Sequence, residues 1–261
     1  MIYITGDCHG EFNRFTKKQR DKLPFTLSEE DSVIVCGDLG LLWAKGRGFE
    51  HDLKWLSALP FRILWVQGNH ENYSMIEEYP LEEWNGGKVR HIVRDKIILL
   101  ERGQVFHIDG KSFFTFGGAS SHDIQGGVLD REDIDFEELR QLANWRGLPY
   151  RILNESWWKQ ELPSEEEIQE GNANLEKAGY QVDYVISHCA SYRIQKAIEQ
   201  SYLKQGWGRG FYPSDILTNY FEELEDKLEF RHWFFGHYHD NMELDEKHTF
   251  LYEMIVQLSD Y

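Results

Sequence analysis

Residues 32–38 read SVIVCGD. A short run of apolar, mostly β-branched residues closed by glycine reads as a strand buried on both faces. The same pattern stands on either side, as MIYITGD at 1–7 and as FRILWVQGN at 61–69. The stretches between carry helical spacing. Phe12 and Phe15 sit one turn apart, and Phe49, Leu53 and Leu56 fall on one face of a helix. Strand alternating with helix predicts parallel βαβ units with right-handed crossovers.

Farther along, 97–100, 105–108 and 112–116 are three closely spaced strand candidates, and Asp109-Gly110 is a hairpin turn signal. They predict an antiparallel meander joined to the parallel sheet. Later strands are expected at 184–187, 233–235 and 250–256. Ile216, Leu217, Tyr220, Phe221, Leu224 and Leu228 form an amphipathic helical stripe with Ser214 as its N-cap. Residues 120–180 are the least regular, although Ser164-Glu165-Glu166-Glu167 after Pro163 matches a capping box. The reading is a single domain over 1–261 with an irregular acidic insertion at about 120–180.

The chain has 261 residues, 45 acidic against 28 basic, for a formal net charge of −17. Such a balance disfavours long nucleic acid and anionic membranes, whose phosphates need Lys and Arg. With 41% hydrophobic and 15% aromatic residues the chain builds a real core, which excludes disorder. Three cysteines make no disulfide framework and suit a reducing compartment. No signal peptide and no apolar run of about 18 residues is visible, so a cytoplasmic location is expected. Oligomeric state leaves no signal.

Polar groups gather where the strands end. Asp7 and His9 follow the first, Asp38 the second, and Asn69 and His70 the third. His188 follows 184–187, and His237 and His239 follow 233–235. In open α/β sheets, ligands bind outside the carboxyl ends of strands. Carboxylate, carboxamide and imidazole together suit a pair of divalent transition metals about 3.5–4 Å apart.

The blocks GDCHG at 6–10, GD at 37–38, GNHE at 68–71, SHC at 187–189 and GHYH at 236–239 resemble the calcineurin-like metallophosphoesterase superfamily, in order and in the spacing of the first three. The resemblance implies an α/β fold, a four-layer αββα sandwich of two mixed sheets flanked by helices. It implies two divalent transition metal ions, Mn or Fe foremost, with Zn or Ni as further options. Asp7, His9, Asp38 and His239 would hold one, and Asp38, Asn69, His188 and His237 the other, so that Asp38 bridges. His70 would be the unligated catalytic imidazole. The implied activity is a metal-dependent phosphoric ester hydrolase acting on a phosphomonoester or small phosphodiester, by attack of a metal-bridging hydroxide on phosphorus.

Within the superfamily, GDCHG and GNHE resemble the phosphoprotein phosphatase and dinucleoside-polyphosphatase branch, which makes those substrates the alternative. That branch reads GDxVDRG at its second block. Here the block reads GDLGLLWAKGRG, without the phosphate-binding arginine. Lys45, Arg47 and Arg209 are candidate replacements, and His122 is a candidate to face the crevice. A non-catalytic acidic scaffold and a nuclease are the competing readings. The intact ligand set opposes the first and the net charge opposes the second. Cys8, Cys36 and Cys189 adjoin ligand positions and read as small apolar residues at buried strand ends. Trp145, Tyr150, Trp157 and Trp158 read as core before they read as a base-stacking platform. Between residues 123 and 170 there are 13 acidic and 5 basic residues. That concentration marks the insertion as a selectivity wall set away from the ligand blocks.

Overall fold

The computed structural model describes residues 1–206 and 213–261. Its first sheet contains β1 (Ile2–Thr5), β2 (Ser32–Val35), β3 (Arg62–Trp65), β4 (Leu81–Trp84), β5 (Gly87–Val93), β6 (Ile97–Leu100) and, from the far end of the chain, a strand at Ile255–Gln257. The second contains β7 (Gln104–Ile108), β8 (Lys111–Phe116), β11 (Tyr184–Ser187), β12 (His232–Phe235), β13 (Met242–Glu243) and β14 (His248–Phe250). A two-stranded piece, β9 (Val128–Leu129) with β10 (Arg151–Ile152), lies in the insertion, and Ile255–Gln257 is β15. The strand orders are β15-β1-β2-β3-β6-β5-β4 and β13-β14-β12-β11-β8-β7. Each sheet has four parallel strands at its centre and antiparallel strands outside them.

Side-chain alternation builds the layers. Ile4, Ile34, Leu64 and Ile98 on the first sheet pack against Phe113, Ile186 and Phe234 on the second. The opposite face of the first sheet, through Tyr3, Val33, Ile63 and Trp65, packs on Leu56, Met75 and Ile76. The opposite face of the second, through Phe114, Val185, Trp233 and Phe235, packs on Ile194, Ile198, Leu217, Phe221 and Leu224. Those last residues belong to α6 (Tyr192–Lys204) and α7 (Ile216–Lys227). The others belong to α2 (Arg47–Ser57) and α3 (Tyr73–Ile76), which follow the short α1 (Lys17–Arg20). Helix, sheet, sheet, helix is the four-layer αββα sandwich.

Several local expectations change. The meander is split: β6 pairs in parallel with β3, whereas β7 and β8 form a hairpin in the other sheet. The hairpin turn itself is as expected, with positive φ at both Asp109 and Gly110. The run at 250–256 is two strands in different sheets, β14 and β15. Asp215, not Ser214, caps α7, accepting from the Thr218 N–H. The capping box at Ser164 is present and starts α5 (Glu165–Lys177). The insertion also holds α4 (Phe136–Arg146). Arg102 ties it to the body. Its buried guanidinium donates to Gly117 O at 2.8 Å, Tyr73 Oη at 2.8 Å and Gln160 O at 2.6 Å.

Candidate metal centre

The carboxyl ends of β1, β2, β3, β11 and β12 converge on one crevice, and each delivers its polar residue on a tight turn. Four of the nine described non-glycine residues with positive φ are His9, Asp38, His237 and His239. Such backbone costs free energy and collects at functional sites. Gly68 and Gly236 let neighbouring turns close in. A Cβ at Gly68 would lie 2.0 Å from Asp38 Oδ1, and one at Gly236 would lie 2.1 Å from Asp7 Oδ1. Arg14 secures the end of β1, donating to Thr5 Oγ1 at 2.8 Å, to Gly6 O at 3.0 Å and to Asp7 O.

Two groups of ligand atoms fall within 4.8 Å of one another: Asp7, His9 and His239, and Asp7, Asp38 and His188. Asp7 is fully buried and accepts from the His237 N–H at 2.9 Å, while Asp38 Oδ1 accepts from the His70 N–H at 2.7 Å. The other Asp38 oxygen, Oδ2, is buried with no hydrogen-bond partner. It lies 3.3 Å from His188 Nε2 and 3.7 Å from His9 Nε2. His188 donates from Nδ1 to Cys36 O at 2.7 Å, which leaves the Nε2 lone pair of the neutral ring facing Asn69 Oδ1 at 3.1 Å and Asp38. His9 Nε2 and His239 Nε2 are 2.9 Å apart, with Asp7 Oδ2 at 3.5 and 3.2 Å. Electron pairs aimed at one another need protons or cations between them. The donor set, and the carbonyl behind His188, fit divalent metal ions.

Charge tells the same story. Burial opposes ionisation of Asp7, but the His188 charge and hydrogen bonds from His239 and His9 outweigh it and hold the carboxyl well below the usual range. Asp38 behaves likewise, chiefly through His188. Burial opposes the charged form of His188 as well, but Asp38 and Asp7 push it up to about 9. The carboxylates thus draw positive charge into a buried place, which a divalent ion would supply in place of the protons.

Asn69 is braced from the insertion. Its Nδ2 donates to Ser121 Oγ at 3.2 Å, and the Ser121 N–H donates to Glu161 Oε2 at 3.3 Å. Burial pushes the Glu161 carboxyl up to about 8. His237 is buried, its ring 5.1 Å from that of His188 and 5.2 Å from that of His122. His70 borders a cavity of about 230 Å³ with His9, Gly40 and Trp43. Its Nδ1 lies 2.9 Å from Arg151 Nη2, and Arg151 also binds Asp123.

The candidate substrate residues fare unevenly. Lys45 is exposed and paired with Glu78 at 2.6 Å, and Arg47 is exposed at the start of α2; neither lines the crevice. Each follows Asp38 closely in sequence, but the chain has by then turned outward. His122 does stand at the crevice, beside His237, on a cavity of about 410 Å³ shared with Ser120, Gln125 and Asp215. Arg209 lies outside the described residues. The insertion is not set away from the ligands, because Ser121 contacts Asn69 and Arg151 contacts His70, with Glu161 behind the first and Asp123 behind the second. No local pattern announced Arg151, a single cation in an ordinary apolar run. Trp158 is buried core, whereas Trp145 is exposed. The cysteines are buried thiols, burial pushes Cys8 up to about 11, and neither group of clustered ligand atoms includes a cysteine. A larger cavity of about 700 Å³, beside Cys8 and Tyr252, includes none of the candidate ligands.

Residues 1–241 match the family described as calcineurin-like phosphoesterase, and the chain belongs to that family. It is a metal-dependent phosphoric ester hydrolase. Among solved structures it is similar to the phosphopantetheinyl hydrolase of Mycobacterium tuberculosis, at 15% identity and a TM-score of 0.41, covering 96% of this chain and 87% of that one. No curated protein matches the sequence. Among the described residues, no helix is long and apolar enough to cross a membrane.

Proposed function

We propose that this hydrolase works with two divalent ions on a phosphomonoester or small phosphodiester. Asp7, His9, Asp38 and His239 would hold one ion, and Asp38, Asn69, His188 and His237 the other. The observation that carries the reading is the orphaned, buried Asp38 Oδ2 lying between His9 and His188. Bound ions in such a site activate water and neutralise charge on the phosphoryl oxygens.

The chain's own groups do the rest. The His70 N–H fixes Asp38 Oδ1 and the His237 N–H is shared between both oxygens of Asp7, which sets the orientation of each carboxylate in the crevice. The Cys36 carbonyl fixes the His188 ring. Ser121 turns the Asn69 amide so that Oδ1 faces the cluster. The His70 ring donates a hydrogen bond to the leaving oxygen as charge develops on it. A cavity of a few hundred Å³ beside His122 and His237 suits a small leaving group rather than a polymer.

Purified protein is expected to bind close to two transition-metal ions per chain and to hydrolyse an aryl phosphate or its bis-aryl diester with Mn, Fe, Zn or Ni. Asp38→Asn should deplete both ions, as read by elemental analysis. Loss of neither ion refutes the shared carboxylate, and no turnover with any of the four metals refutes the activity.

A further inference from the structure

Arg151 opens β10, 81 residues beyond His70 in the chain. Its Nε donates to Asp123 Oδ2 at 2.9 Å, Nη2 reaches the same oxygen, and Nη1 donates to Ser156 O at 3.3 Å. Nη2 also meets His70 Nδ1 at 2.9 Å. A guanidinium has five donors, no acceptor, and stays charged in proteins. In this contact His70 Nδ1 therefore has to accept, and the ring's one hydrogen is left on Nε2.

We propose that Arg151, anchored by Asp123, is a positioning residue that fixes His70 as the Nε2–H tautomer and so makes it a hydrogen-bond donor toward the substrate. The inference rests on the reading of His70 as the group that serves the leaving oxygen. It adds the polarity of that service. A carboxylate against Nδ1 would place the hydrogen there and leave Nε2 as a base, the arrangement of hydrolytic triads. Here Asp123 stands behind the arginine rather than against the imidazole, and the polarity is reversed. The pair is sheltered, with the Arg151 side chain only 15% exposed, so water competes weakly for Nδ1. With Nδ1 occupied, Nε2 is the polar atom the ring offers to the cavity of about 230 Å³ it shares with His9, Gly40 and Trp43. The insertion thereby supplies a group to the site that the GDLGLLWAKGRG block does not.

The direct test is ¹⁵N spectroscopy of the imidazole nitrogens in full-length, zinc-loaded protein, with His70 assigned by the signals lost in His70→Asn. The expected spectrum has Nε2 protonated and Nδ1 bare. A hydrogen on Nδ1 of the wild type overturns the proposal without any further variant. Arg151→Met should give mixed tautomers and lower kcat by at least about tenfold, with KM within about threefold. Arg151→Lys, which keeps a donor, should recover part of kcat. An unchanged tautomer in Arg151→Met, or a raised KM with kcat intact, overturns the positioning role. The two readings separate cleanly. The expected tautomer without turnover on any metal defeats the phosphoesterase reading alone, and turnover with the hydrogen on Nδ1 defeats this one alone.

Discussion

At Gly236 a methyl group has no room. Its carbon would meet Asp7 Oδ1 at 2.1 Å and Cys36 O at 2.7 Å, and the Cys36 carbonyl is what orients His188. Gly236→Ala should therefore push the Asp7 carboxylate off its position. The expected outcome is loss of at least one bound ion per chain, by elemental analysis, with destabilisation of about 1–3 kcal/mol from overpacking. Full metal content in that variant would contradict the role given to Asp7. Single residues of this kind were legible in the sequence because glycine and ligand are neighbours: Gly6-Asp7, Gly37-Asp38, Gly68-Asn69 and Gly236-His237. Arg151 was not. It meets His70 from 81 residues farther along the chain, and a lone arginine before Ile152 and Leu153 resembles any strand residue. Lys45 and Arg47 looked better placed only because nearness in sequence to Asp38 stands in poorly for nearness in space.

Between elements, the clearest electrostatic joint is the one from α7 to β14. His248 Nε2 lies 3.2 Å from Glu225 on α7, and its Nδ1 lies 2.9 Å from Asp245. Burial disfavours the charged ring, but Glu225 and Asp245 prevail and raise it above its ordinary value. His232, the imidazole beside it, is pushed down to about 4 by burial and then by His248, so it stays neutral near neutrality. A raised folded-state value means the joint contributes fully below the unfolded value of about 6.5 and fades as pH rises through the folded one. Urea unfolding of wild type and His248→Gln should show a stability gap that is full below about pH 6.5 and shrinks as pH rises above it. A gap that does not change with pH would assign His248 to packing alone. Elements were legible where period and punctuation agreed, as in β1 to β3 and the capping box at Ser164. The sheet to which a strand belongs was not, because β6, β7 and β8 look alike locally. The choice is made by partners far away, β3 for one and β11 for the hairpin.

The crevice lies between the two sheets. Asp7 and Asp38 end strands of the first, while His188, His237 and His239 follow strands of the second. Bound ions would clamp the sheets together. Removing them with a chelator should lower the thermal midpoint, by about 2–3 kcal/mol in free-energy units when metal stands a hundredfold above its Kd. Calorimetry would show it, and Asp38→Asn should respond far less. An equal midpoint with and without chelator would mean the ions leave the sheet contact untouched. The net charge of −17 takes a different meaning at this scale. An open sheet leaves backbone donors and acceptors unpaired along its outermost strands, and another molecule can template on them. Here β13 and β15 are only two and three residues long, and β7 packs beside α5. Among the described residues, the remaining border of the two large sheets is β4, which reads Leu-Glu-Glu-Trp, with Leu81 exposed. Glu82 there is paired with Arg94, and the exposed Glu83 is the charge that two approaching copies would have to bring together, so part of the acidity would keep that border from templating a second sheet.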